Sequence, residues 1–254
     1  MNRQGQTLLA VFAHPDDESF GTGGILARYA SEGARVVLVC ATRGEAGEIS
    51  DPALATRITL GAVREQELRA AGEALGISEV IFLGYRDSGM AGTIENANPR
   101  AFINAGTDEV VSQLVGIIRR ERPGAIITFE PHGGYGHPDH IMVHHTTTAA
   151  MHAAAASTYV PGLGEAWRTP RLFWTAIPRS FLVKLRDVMA AKGEVTSDFD
   201  RLVETRAGWP DDEIDLTVDV SPFVQAKWAS LNAHKTQFGK DNAFRRAAEA
   251  LMDE

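Results

Sequence analysis

The chain has 254 residues, 44% of them hydrophobic, and a formal charge of −8, which suits one large α/β domain or two small ones. The acidic balance and the lack of any Lys/Arg stripe argue against a nucleic-acid partner. No apolar run reaches the roughly 18 residues of a membrane span and no basic-then-apolar leader opens the chain, so the expectation is a cytoplasmic protein without a membrane partner.

Residues 7–12 read as a first strand, and 21–32 as a helix with Ile25, Leu26 and Tyr29 on one face and Gly33 as its stop signal. Residues 35–41 form a second apolar run, unbroken as a central parallel strand should be. It holds the only cysteine, Cys40, which reads as a buried inert thiol with no partner for an internal disulfide. A helix is expected over 57–75 and a third strand over 80–83. Residues 84–106 form a polar loop long enough to suggest function. A helix over 108–121, a fourth strand over 124–129 and a helix over about 138–156 follow, with Pro138 suited to a first helical turn. Beyond 157 the pattern weakens: a fifth strand over 171–177, a helix over 181–191, irregular chain over 192–213, a strand-like alternation over 214–220, and helices over 222–235 and 241–253.

Strands alternating with helices predict a Rossmann-like, doubly wound α/β fold: a mainly parallel sheet with helices on both faces and a small C-terminal α+β extension. Residues 1–157 are expected to be the catalytic core. Residues 158–254 are expected to complete the sheet and the substrate pocket within one compact domain. In the common strand order 3-2-1-4-5, strands 1 and 4 flank the switch point where such sheets bind ligands.

The loops leaving those two strands carry the chemistry. The first reads Ala13-His14-Pro15-Asp16-Asp17-Glu18, and the second His137-Pro138-Asp139-His140. Three acids and a histidine are costly to crowd unless a cation takes up their charge. His14, Asp17 and His140 supply two imidazoles and a carboxylate, which match a catalytic zinc site with one open position, although iron or cobalt suits the same donors. Asp16 is then free to act as general base. His137 can serve as a cation near the carbonyl oxygen, with Asp139 holding and charging it. The competing explanation is that these residues cap helices, since Asp139 lies in a first turn where acids favour the dipole. Two His-Pro-Asp loops, each after a buried strand, favour a site.

Other residues are ambiguous. Gly21, Gly23 and Gly24 resemble part of a dinucleotide fingerprint, but position 26 is Leu, so a tight turn and close packing explain them better. His144 shares a helical face with His140 and reads as a core residue or one that supports a ligand from behind; His145 and His152 read as structural. His132 and Glu130 flank the second loop. Glu45 and Glu48 follow strand 2 on the ligand edge, where they can meet substrate hydroxyls. Arg64 in mid-helix is by default a solvated charge, and Asp87 a turn cap.

The AHPDDE and HPDH segments resemble those of the LmbE-like (PIG-L) zinc-dependent N-acetylglucosaminyl de-N-acetylases. Residues 133–140 (GGYGHPDH) and 86–93 (RDSGMAGT) are most similar to the mycothiol-pathway branch, which acts on N-acetylglucosaminyl-inositol. The resemblance is close over residues 7–150 and loose over the last hundred. It implies zinc ligands at His14, Asp17 and His140, a base at Asp16, an oxyanion contact at Tyr135, and substrate contacts at Arg64 and Asp87. The segment His234-Lys235-Thr236-Gln237 resembles one that closes the family's pocket. The expected activity is zinc-dependent N-deacetylation of an amino-sugar conjugate, with one zinc ion per chain. Open alternatives are the same chemistry on N-acetylglucosaminyl malate, a chitobiose-like sugar or a thiol-conjugate amide, or a non-catalytic sugar-binding module. Whether the chain forms a homo-oligomer is left open.

Overall fold

Two strands with almost no polar residue form the centre of the sheet. β1 (Thr7–Phe12) and β2 (Arg35–Cys40) are buried on both faces except at their first residues. That burial is what a parallel sheet covered by helices requires. The computed structural model describes residues 3–252. β3 (Glu79–Phe82), β4 (Ala125–Phe129) and β5 (Leu172–Thr175) complete a five-stranded sheet. Its order is β3-β2-β1-β4-β5, and every pairing is parallel. The chain fills one side of β1 first and then crosses to the other. The loops leaving β1 and β4 therefore open onto one crevice.

α1 (Asp17–Ser31), α2 (Leu60–Leu75), α3 (Thr107–Glu121) and α5 (Pro138–Ala154) surround the sheet. α3 buries Val111, Leu114, Val115 and Ile118, the stripe its spacing predicts. Arg119 on α3 is also buried, and donates to the carbonyls of Ala154, Ala156, Val160 and Gly164. It thereby adds to the Trp167 N–H in satisfying the last carbonyl of α5 and ties the loop that follows to α3. α4 (Gly133–Gly136) is a single irregular turn between β4 and α5.

α1 begins at Asp17, not at residue 21. The carbonyl of Asp16 accepts from the N–H groups of Ser19 and Phe20, so the acidic loop is itself the first helical turn. The glycine cluster lies inside the helix, and close packing explains Gly23 and Gly24 in it. A Cβ on Gly24 would lie 2.7 Å from Val220 Cγ2, and one on Gly23 3.2 Å from Lys227 Cγ.

The C-terminal part contains α6 (Arg179–Ala191), α7 (Ser197–Glu204), α8 (Val224–Ala233) and α9 (Ala243–Met252). α6, α7 and α9 share a satellite core of Leu185, Val188, Met189, Phe199, Ala247 and Ala250. α7 corrects the expectation of irregular chain over 192–213: a two-turn helix anchored by Phe199 is too short and polar to stand out in sequence. Residues 214–220 form no strand. Only the end of this segment meets α1: Val220 packs on Gly24, the Asp219 carbonyl accepts from Arg28, and Leu216 is left exposed. α8 packs on α1 and α2 and returns the chain to the crevice. Among the described residues no helix is long and apolar enough to cross a membrane.

Candidate metal centre

The crevice between the β1 and β4 loops brings His14, Asp17 and His140 together. His14 Nδ1 lies 3.2 Å from His140 Nε2 and 3.7 Å from Asp17 Oδ2. Asp17 Oδ1 lies 3.4 Å from His140 Nε2. Donors about 2.0–2.1 Å from a tetrahedral ion stand roughly 3.3–3.4 Å apart, a spacing the two histidine nitrogens approach, while Asp17 turns a different oxygen to each of them. Both histidines are buried.

The surroundings fix which atoms face inward. His140 Nδ1 donates to the Gly133 carbonyl at 3.2 Å, which leaves Nε2 as a lone pair. The His140 ring stacks on Phe129, 3.9 Å between centroids. His14 Nε2 donates to Asp139 Oδ2 at 3.1 Å, and Asp87 Oδ1 is 3.5 Å away. Asp17 Oδ2 accepts from the N–H groups of His14 and Ala13, at 2.7 and 3.2 Å, which draws the carboxylate toward the end of β1. A lone pair and a carboxylate thus converge on His14 Nδ1. Only a proton or a metal ion there makes the cluster electrostatically sound.

The titration behaviour fits that reading. Burial alone would lower the His14 pKa, but the Asp87 charge and hydrogen bonds to Asp139 and Asp87 hold it well above the ordinary histidine value. Without an ion, His14 is therefore the cation of the cluster. Burial, and then the charge on His14, push His140 well below the ordinary value. Burial raises Asp17 to about 7 against the pull of His14. A divalent ion would displace the His14 proton, so binding should release protons.

His137 and Asp139 differ from expectation. Burial and the His14 charge lower His137 to about 4, so it is neutral rather than cationic. Its Nδ1 accepts the Asp139 N–H at 3.2 Å, which leaves Nε2–H as a donor. The Asp139 carboxylate does not bond His137. It accepts from His14 Nε2 and from the Ser88 N–H at 3.0 Å. Asp139 thus orients His14, as carboxylates behind metal-binding imidazoles commonly do.

Asp16 sits beside the donors with φ 118° and ψ −27°, a left-handed conformation that costs a non-glycine residue about 1–3 kcal/mol. Its Oδ2 accepts from Arg64 Nη2 at 3.1 Å. Burial raises its pKa against the opposing Arg64 charge, which moves it toward the range useful to a general base. Arg64 is 3% exposed. Its guanidinium binds the Gly44 and Pro15 carbonyls as well as Asp16. It braces the loops after β1 and β2 rather than facing solvent. Gly44 is required there: its φ is +66°, and a Cβ would meet Arg64 Nη1 at 2.1 Å.

Asp87 is likewise buried, with Oδ1 accepting from the Gly89 N–H at 2.8 Å and Oδ2 from the Ala46 N–H at 3.1 Å. Despite the opposing cost of burial, His14 and these bonds keep it ionised. Its place is behind His14, linking the 86–93 loop to the loop after β2. Glu45 accepts the Asp87 N–H at 3.0 Å. Glu48 is exposed at the loop surface, and its carbonyl accepts from Gln237 Nε2 at 2.7 Å. Tyr135 stands at the mouth, 62% exposed, with its ring edge on His140, 5.2 Å between centroids. Desolvation of its hydroxyl and the charges of Asp17, Asp16 and Asp87 raise its pKa, so it remains a donor.

Glu130 is buried and accepts from the N–H groups of His132 and Gly134, shaping the turn that presents Tyr135. His132 is exposed. His144 donates to the Phe129 carbonyl at 2.9 Å. Two residues near the site had no role assigned by sequence: Glu18, as one acid among three, and His234, as more than part of a pocket-closing segment. They meet at 2.7 Å although 216 positions separate them, and no local pattern signals that.

Residues 9–151 match the family described as GlcNAc-PI de-N-acetylase (PIG-L). A protein of Rhodococcus erythropolis named 1D-myo-inositol 2-acetamido-2-deoxy-alpha-D-glucopyranoside deacetylase is 46% identical over 248 residues, covering 93% of this chain and 83% of that one. A protein of the same name from Geodermatophilus obscurus is 42% identical, covering 93% and 84%. Among solved structures, N,N'-diacetylchitobiose deacetylase from Pyrococcus horikoshii superposes with a TM-score of 0.68 over 98% of this chain and 76% of that one. At 19% identity that likeness concerns the fold.

Proposed function

This chain belongs to the PIG-L family of GlcNAc-PI de-N-acetylases, and from that membership we propose that it is a zinc-dependent hydrolase that removes acetyl from N-acetylglucosaminyl-inositol. The observation that carries the chemistry is the convergence of His14 Nδ1, His140 Nε2 and the Asp17 carboxylate at 3.2–3.7 Å. The substrate class rests on the names of relatives that align along nearly the whole chain.

His14, Asp17 and His140 hold the ion, which when bound supplies Lewis acidity for the acetamide carbonyl and its attacking water. Asp16 accepts the water's proton. The amide C–N bond breaks, the water's oxygen leaves in acetate, and the amine nitrogen leaves with the proton Asp16 carried. His137, as a neutral Nε2–H donor, and Tyr135, through its hydroxyl, stabilise the developing oxyanion. Arg64 holds Asp16, and Asp87 and Asp139 hold His14. Glu48 and the mouth beside Tyr135 are the places left for substrate hydroxyls.

The test is acetate release from N-acetylglucosaminyl-inositol, run beside N-acetylglucosaminyl malate and free N-acetylglucosamine, with and without chelator. The expected result is a preference for the inositol conjugate, lost on chelation and restored by zinc. Chelator-sensitive release from another substrate would keep the chemistry and discard the substrate. Chelator-insensitive release would discard the metal mechanism.

A further inference from the structure

We propose that Glu18 and His234 are a positioning pair for Asp16, so that the C-terminal segment holds the general base in its reactive conformation. The inference rests on the assignment of Asp16 made above. Asp16 is held left-handed at φ 118°, and a costly conformation persists only where its surroundings over-determine it. Arg64 grips its carboxylate. Its backbone N–H is gripped by Glu18 Oε2 at 3.0 Å.

Glu18 can do this because its other oxygen is satisfied from across the molecule. Oε1 accepts from His234 Nε2 at 2.7 Å and from the Ser19 hydroxyl, which in turn meets the Ser230 hydroxyl. Glu18 and His234 are both fully buried. His234 Nδ1 has no hydrogen-bond partner, so the hydrogen bonding of the ring is directed at Glu18 alone. Neither residue takes part in the proposed reaction, yet a buried carboxylate with a buried histidine is a costly arrangement to keep for packing alone. His234 follows α8 directly, and the next residues fasten to α2: the Thr236 N–H and hydroxyl donate to Glu67 at 2.8 and 2.6 Å. The segment thus delivers His234 to one place.

Without the His234 donor, Glu18 turns away from the Asp16 N–H, and Asp16 relaxes out of its left-handed conformation. A misplacement of about 1 Å can cost roughly 10²-fold in rate. The test compares His234→Leu, which keeps bulk and loses the donor, with His234→Gln, which keeps an N–H donor. For each we would measure kcat and KM for acetate release, bound zinc per chain, and the Asp16 backbone by crystallography. His234→Leu is expected to lower kcat by about 10²-fold with KM and zinc content within about twofold, and His234→Gln to recover at least about tenfold of that loss. The His234→Leu crystal structure is expected to show Asp16 outside the left-handed region. If His234→Leu keeps kcat within about threefold of the parent, or keeps Asp16 at its present φ with the bond to Glu18 intact, the inference is overturned. Should His234→Leu not fold, Glu18→Gln is read by the same structural criterion. If the parent protein releases no acetate from any conjugate, the functional reading fails separately, and the position of Asp16 alone decides this inference.

Discussion

Asp16 is the residue on which the proposed chemistry turns. Its carboxylate is the one acid of the AHPDDE segment that neither faces the histidine donors nor joins the His234 pair. Asp16→Asn is therefore expected to lower kcat by roughly 10³-fold while zinc content stays at the parent value, because base and acid are lost together. Metal analysis beside steady-state kinetics checks this; near-parental turnover would move the base elsewhere. Arg64 gives a test with a sign. Its charge opposes the rise in the Asp16 pKa that burial causes. A base must be deprotonated to act, so activity rises with pH through its pKa. Removing the charge raises that pKa further. The acid limb of the kcat/KM profile is then expected to move to higher pH in Arg64→Gln. A limb that stays put or moves to lower pH would separate Arg64 from the base.

At the scale of elements, α1 carries the strongest constraints. Its first turn holds Asp17 and Glu18, and its second carries glycines whose reasons differ by position. Gly24 lies under Val220, where a Cβ would be 2.7 Å from a β-branched side chain. Gly24→Ala is expected to destabilise the protein by about 1–3 kcal/mol despite the better helix propensity of alanine. Gly21 is exposed, and its Cβ would make an ordinary 3.7 Å contact with Thr175 Cγ2. Gly21→Ala is expected to stabilise by roughly 0.5–1 kcal/mol. Thermal unfolding of the two variants should show shifts of opposite sign. The segment 214–220 reads as a strand in sequence, yet it pairs with no strand and reaches α1 only at Asp219 and Val220.

For the whole molecule, the sheet order decides what the site contains. β1 and β4 are neighbours, so their two loops face each other, and β5 and α8 close the structure around them. Phe20 on α1 meets Phe238 and Phe244, 5.6 and 6.1 Å between centroids, which ties the satellite core to the first helix. A chain cut after residue 157 would leave β4 as an uncovered edge and strip α8 from α1 and α2. We expect it to show no cooperative thermal transition by circular dichroism. A cooperative transition would make residues 1–157 an independent domain and contradict the single compact unit proposed for this chain.

The sequence by itself determined what depends on neighbours along the chain. The buried strands, the amphipathic α3, the parallel order and the two His-Pro-Asp loops follow from local patterns of apolar and titratable residues. With the strand order, those patterns also placed His14, Asp17 and His140 in one crevice. What only the tertiary structure decided depends on which side chains meet across the fold. Asp139 serves His14 rather than His137, because α5 aims its carboxylate back at β1. His137 is neutral, because it is buried beside a cationic His14. Arg64 and Asp87 are spent on bracing the loops, because both lie beneath them. Glu18 finds His234 from the far end of the chain, because α8 packs on α1. Charge states and hydrogen-bond partners are set by three-dimensional surroundings, and residue spacing along the chain does not encode them.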